Sequence, residues 1–110
     1  MALIVHQVAV ETIAALRPLV GRIAQHDRSL ARQLQAAASS IALNIGEAQY
    51  SDPGNRRARF HSAAGSADET RTALEVSVAW GYITPLQAQA ALVLLDRVVA
   101  MLWRLNRGPK

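Results

Sequence analysis

Three histidines and eight acidic residues are the side chains here that could hold a metal, and their spacing argues against it. Di-iron helical bundles use Glu-x-x-His pairs, because a step of three puts both ligands on one helix face. The glutamates are Glu11, Glu47, Glu69 and Glu75, and none has His three residues later. His6, His26 and His61 are scattered and make no i, i+4 pair. The chain has no cysteine, which excludes disulfides, thiolate zinc, iron–sulfur clusters and Cys nucleophiles. Serines are plentiful, but no nucleophile elbow or Gly-rich phosphate loop surrounds any of them. Gly65-Ser66 falls inside a helical stretch, where backbone N–H groups are already bonded and cannot cradle a phosphate. The sequence therefore offers no catalytic, cofactor-binding or metal-ligating residue, and reads as a non-enzyme.

A different set of polar residues interrupts the apolar faces. Spacings of four and three put Ser40, Asn44 and Glu47 on one side of a helix. An antiparallel turn at Tyr50–Gly54 would set Ser40 against the Gly65–Glu69 stretch and Asn44 against Phe60–Ser62. Ser40, Asn44, Glu47, Ser66 and Glu69 would then form either a hydrogen-bonded network that fixes helix register or a ligand pocket. Gly65 costs about 1 kcal/mol of helix propensity against Ala, which suggests that a neighbouring helix approaches closely there.

The remaining chemistry is positive charge. The net charge is +4, and eleven of the twelve basic residues are Arg, whose guanidinium fork binds two phosphate oxygens at once. Threaded through four antiparallel helices, one end collects Arg56, Arg57, Arg59, Arg104, Arg107 and Lys110 against Glu47 and Asp52. The other end collects Arg22, Arg28 and Arg32, with Arg17 nearby, against Asp27. Basic patches without aromatic neighbours point to contact with a nucleic-acid backbone rather than to base reading.

Four amphipathic segments must position these groups. The first, about 2–25, repeats Val5, Val8, Thr12, Ala15, Leu19 and Ile23 at helical spacing, with Pro18 expected to kink or split it near Arg17. Asp27 or Ser29 is placed to cap the second, about 29–49, whose apolar face is Leu30, Leu34, Ala37, Ala38, Ile41, Ile45 and Ala48. Asp52-Pro53 is a natural N-cap and first position for the third, about 53–80, and Gly81 ends it. Thr84-Pro85 opens the fourth, about 85–106, whose apolar residues are Leu86, Leu92, Leu95, Val98, Val99, Leu102 and Leu105. Short connections between four helices predict an all-α, antiparallel up-down-up-down bundle occupying residues 1–110 as one domain.

Ile4, Ile13 and Val20 on the first helix, and Val93, Ala100 and Trp103 on the fourth, lie off these faces, with Trp80 at a helix end. Second apolar stripes of this kind point to a subunit interface and hence a homo-oligomer. Met1–Val5 lacks the positive flank of a signal peptide. Ala90–Trp103 is interrupted by Asp96-Arg97 and shorter than the ~20 residues a bilayer needs, so the expectation is a cytoplasmic protein with no membrane contact.

Ala38-Ser39-Ser40-Ile41-Ala42-Leu43-Asn44-Ile45-Gly46-Glu47-Ala48 resembles the A-x-S-I-x-x-N-I-A-E-G signature of bundle proteins encoded in intervening sequences of bacterial 23S rRNA genes. Arg59-Phe60-His61-Ser62-Ala63-Ala64-Gly65-Ser66-Ala67-Asp68-Glu69 is similar to that family's R-F-x-x-A-x-G-S-x-x-E. Gln33, Gly81-Tyr82-Ile83, and Met101-Leu102 with Leu105 match further family positions in order. Gly46 and Ala48 depart from the usual Ala and Gly. The resemblance implies a four-helix bundle assembled as a barrel-like homopentamer. It also implies kinship with the accessory variability proteins of diversity-generating retroelements, which bind nucleic acid and a partner protein. Ser40, Asn44, Glu47, Gly65, Ser66 and Glu69 are then the family's structural signature. The expected function is a non-enzymatic oligomer contacting RNA or DNA through basic ends, and the rival is a protein-only scaffold docking a partner on the oligomer surface.

Overall fold

The computed structural model describes residues 2–107, with side chains from residue 4 onward. The chain is all-α, with α1 (Ala2–Ala24), α2 (Arg28–Ala48), α3 (Pro53–Ala79) and α4 (Pro85–Asn106), and no strand among the described residues. The molecule measures 45 × 22 × 19 Å. A helix the length of α3 spans about 40 Å at 1.5 Å per residue, so the helices lie along the long axis.

Local chemistry sets each boundary. Asp27 accepts the Leu30 N–H at 3.0 Å and starts α2. Asp52 accepts the Asn55 N–H at 3.0 Å, with Pro53 supplying the first helical position of α3. Thr84 accepts the Gln87 N–H at 3.1 Å while Gln87 accepts the Thr84 N–H at 2.9 Å, a reciprocal capping box for α4. At the end of α3 the Gly81 N–H reaches Val78 O and the Tyr82 N–H reaches Ser77 O, both at 2.9 Å. Gly81 has φ +79°, so this is a Schellman cap that needs a left-handed residue.

Pro18 does not split α1, which runs unbroken through it. The carbonyl that loses its helical donor is that of Ala14, and Ala14 and Pro18 are both exposed, where water can replace the missing bond.

The helices pack in a ring, α1 against α2 and α4, and α3 against α2 and α4. At the core Leu34, Ile45, Leu74, Leu95 and Leu102 are completely buried. Each such side chain contributes roughly 1.5–3 kcal/mol relative to exposure. Ala9 and Leu16 join the expected face of α1, and Ala31 that of α2, while Ala15 and Leu30 are only half-buried. On α4 the buried line is Ala88, Ala91, Leu95, Val98, Met101 and Leu102. Leu86 is 79% exposed because it lies about 200° around the helix from Ala88, off the core face. The alanines allow close helix approach where larger residues would hold the backbones apart.

By length and composition alone α4 is apolar enough to cross a bilayer, contrary to the expectation from sequence, with mean hydropathy 1.4 over its best window. In the fold one face of α4 belongs to the core, and its Asp96 pairs with Arg71 of α3.

Candidate nucleic-acid interface

The α2–α3 seam carries the polar residues singled out from sequence. Ser66 Oγ donates to Ser40 Oγ at 2.8 Å. Asn44 Nδ2 donates to the same Ser40 Oγ at 3.0 Å and to Ser40 O at 2.9 Å. One turn along α3, Thr70 Oγ1 donates to Ser66 O at 2.7 Å. Seven residues on in α2 and seven back in α3, Arg59 Nη1 meets Glu47 Oε2 at 3.0 Å. Equal steps in opposite directions along the two helices show them antiparallel and in one register.

Two of the expected members lie elsewhere. Glu69 is exposed and bonds to none of the seam residues. Gly65 is exposed as well, and a Cβ built on it meets nothing within 4 Å, so no helix approaches there. The close seam belongs to Ala63 and Ala67, both completely buried, and Gly65 sits about 200° around the helix from each. Thr70 and Ser77 are buried hydroxyls that sequence reasoning passed over, each bonded to the carbonyl four residues back. Their signal was the spacing Phe60, Ala63, Ala67, Thr70, Leu74, Ser77, alternating three and four. Glu47 is exposed and paired with Arg59.

That seam holds up a basic end. Arg56, Arg57 and Arg59 project from the first turns of α3, all exposed. Arg56 Nε donates to Ala48 O at 3.3 Å, a carbonyl at the end of α2 that also accepts the Ser51 N–H at 3.3 Å. Arg59 is engaged by Glu47, an exposed pair worth at most about 1 kcal/mol. Arg57 makes no ion pair or side-chain hydrogen bond among the described residues. The Arg71–Asp96 pair joins the second half of α3 to the middle of α4, and with the helices antiparallel this puts the C-terminus of α4, with Arg104 and Arg107, towards the start of α3. The Arg107 guanidinium lies 4.4 Å from the centroid of the Trp103 ring, a cation–π contact. This basic end therefore does have an aromatic neighbour, 59% exposed, because the last turns of α4 put Trp103 outside the core. Lys110 lies outside the described residues. The Asp52 carboxylate is held below its ordinary pKa, chiefly by the Asn55 backbone N–H and then by the Asn55 side chain.

The other end holds a second aromatic group. The His26 and Tyr82 rings stack at 4.9 Å, 7° from parallel, and Tyr82 and Trp80 lie 6.3 Å apart at 15°. Arg22 ends α1 and Arg28 begins α2 beside this stack in sequence, both exposed. Along the flank between the ends, an apolar groove of about 540 Å³ runs between α1 and α2, lined by Val10, Ile13, Val20 and Ala38 with Arg17 and Gln35 at its margin. Among the described residues no three His, Asp or Glu side chains gather as a metal set would require.

A family model for the 23S rRNA-intervening sequence protein matches residues 1–104. The chain belongs to that family. A solved structure of a protein of unknown function from the S23 ribosomal protein family of Bacteroides thetaiotaomicron has the same fold, with TM-score 0.88 at 20% identity. The likeness covers 94% of this chain and 99% of that one, and at this identity it concerns fold alone. No curated protein matches the chain. Of the six signature residues, Ser40, Asn44, Glu47 and Ser66 lie along the α2–α3 seam, and Gly65 and Glu69 lie off it.

Proposed function

We propose that this protein is a non-enzymatic, cytoplasmic homo-oligomer of antiparallel up-down-up-down bundles that contacts the backbone of RNA or DNA through its basic ends. The observation that carries this reading is the placement of Arg56, Arg57 and Arg59 in the first two turns of α3. The macrodipole is felt within the first helical turn, so at low salt it disfavours Arg56 by at most about 0.3–1 kcal/mol and leaves Arg57 and Arg59 nearly unaffected. Arg59 pairs with Glu47 and Arg56 with Ala48 O, whereas Arg57 has no partner among the described residues and no role in holding the helices together. A phosphate is attracted by the exposed guanidinium groups, the α3 N-terminus itself being capped by the Asp52 carboxylate. Arg104 and Arg107 sit at a helix C-terminus, where they also complement the dipole.

Self-association rests on apolar surface that the bundle leaves uncovered. Ile4, Val10, Val93 and Trp103 are each about half exposed or more, and Val10 also lines the α1–α2 groove. A barrel-like pentamer, as the family resemblance implies, would cover these stripes and repeat each basic end around a ring. Weak phosphate contacts then act together through effective concentration.

The same groove favours a second reading, a scaffold that docks a partner protein and no nucleic acid. Fluorescence anisotropy with labelled structured RNA and duplex DNA separates the two. Binding that falls sharply in the combined Arg56→Ala, Arg57→Ala, Arg59→Ala variant supports the first reading. A partner retained after nuclease treatment, with no binding to either nucleic acid, supports the second.

A further inference from the structure

We propose that the Trp80–Tyr82–His26 stack is a platform for an unpaired nucleobase, which makes single-stranded nucleic acid the preferred ligand at that end of the bundle. This rests on the reading that the basic ends contact nucleic acid, and it adds what the ligand must expose.

The platform is assembled by backbone chemistry. Gly81, at φ +79°, reverses the chain between Trp80 and Tyr82, and the Schellman bonds from Gly81 and Tyr82 hold that reversal. The two rings therefore lie nearly parallel although they are two residues apart. His26 comes from the α1–α2 turn, where its own N–H donates to Ile23 O at 2.9 Å, and its ring lies against Tyr82. Three rings from two separate turns are thus set in nearly one orientation, at separations typical of offset stacking.

Their exposure distinguishes a platform from a packing device. Tyr82 is half-buried and packs against the core, which accounts for the inner ring. Trp80 is 69% exposed and His26 is exposed, so the two outer residues of the stack are open to solvent. A tryptophan recruited only to seal the turn would bury its large apolar ring. Every nucleobase has a π-face that fits such a surface, and bases in a duplex are already stacked, so only an unpaired base can use it. Arg22 and Arg28, exposed on either side of His26 in the chain, supply charge for the adjoining phosphates, and the Asp27 carboxylate between them is occupied in capping α2.

The test measures binding of the full chain to fluorescein-labelled oligo(U) and to a duplex of equal length, across a salt series. Trp80→Ala should lose on the order of tenfold in affinity for the single strand, since a base–aromatic stack contributes about that much. Its salt slope should stay that of the parent, because no phosphate contact is removed. Trp80→Phe should keep most of the binding, and urea midpoints should confirm that both variants fold. In a Trp103→Phe background Trp80 is the sole tryptophan, and its emission should be quenched by oligo(U) and unchanged by the duplex. If Trp80→Ala binds oligo(U) as tightly as the parent, while the α3 arginine variant weakens, the platform is wrong and the basic-end reading stands. If the parent binds neither ligand at low salt, both fall.

Discussion

Ser40 and Ser66 face each other across the α2–α3 seam with hydroxyl oxygens 2.8 Å apart, and Ser40 Oγ also accepts from Asn44. One oxygen thus serves donors from both helices, and the Glu47–Arg59 pair two turns away repeats the same register. Sliding α3 by a turn would break both contacts at once. The seam therefore fixes where the arginines of α3 stand relative to the end of α2.

Removing the shared acceptor should cost more than removing one donor. Ser66→Ala leaves Ser40 bonded to Asn44 and should lose about 1 kcal/mol of stability. Ser40→Ala strands the Ser66 hydroxyl and one of the Asn44 contacts in a half-buried seam, and should lose about 1–3 kcal/mol. Urea unfolding with unchanged slopes gives the comparison, and equal losses would show that the two donors do not depend on Ser40.

Gly65→Ala should stabilise the protein by about 1 kcal/mol. The position is mid-helix and open, so the substitution gains helix propensity and meets no atom within 4 Å. A loss of stability would mean that something packs on Gly65 in solution, and a second subunit would be the first suspect.

Gly81→Ala should do the reverse. A Cβ in the left-handed region costs about 1–2 kcal/mol, and the strain falls on the Schellman cap that orients Trp80 and Tyr82. Reduced stability together with altered Trp80 fluorescence is the expected pair of results.

Acid should loosen the start of α3. The Asp52 pKa is lower folded than unfolded, so its stabilising contribution is complete above the ordinary aspartate value of about 3.9. It is lost as pH falls from there through the lower folded value. Protection of the Asn55 and Arg56 amides, relative to their intrinsic exchange rates, should fall in that window, and Asp52→Asn should remove the pH dependence while keeping much of the cap.

Helix boundaries were legible from sequence because capping is local. Asp27, Asp52-Pro53, Gly81 and Thr84-Pro85 act within three or four residues of themselves. The core face of α3 was harder to read, since Ala63, Ala67, Thr70 and Ser77 carry little hydrophobicity and are buried by what packs on them. Missing that stripe led to the misplacing of Gly65, whose phase puts it on the far side from Ala63 and Ala67. That Ser40 faces the Gly65–Glu69 stretch follows from turn position and helical spacing, and within that stretch the structure picks out Ser66. The His26–Tyr82 stack does not follow from them, because it joins two turns distant in sequence and exists only once the ring of helices closes.

Arg57 bears most directly on the function. Arg59 is engaged by Glu47 and Arg56 by Ala48 O, which leaves Arg57 as the exposed guanidinium of that group with no partner among the described residues. The decisive measurement is RNA affinity against salt concentration for the parent and for Arg57→Ala, with particle mass followed by light scattering. The account predicts affinity that falls linearly on logarithmic axes, and a slope smaller by about 0.7–0.9 for each phosphate contact that Arg57 makes. It also predicts a larger loss from Arg57→Ala than from Arg59→Ala at equal oligomer mass. An intact oligomer that binds no RNA or DNA even at low salt would contradict it.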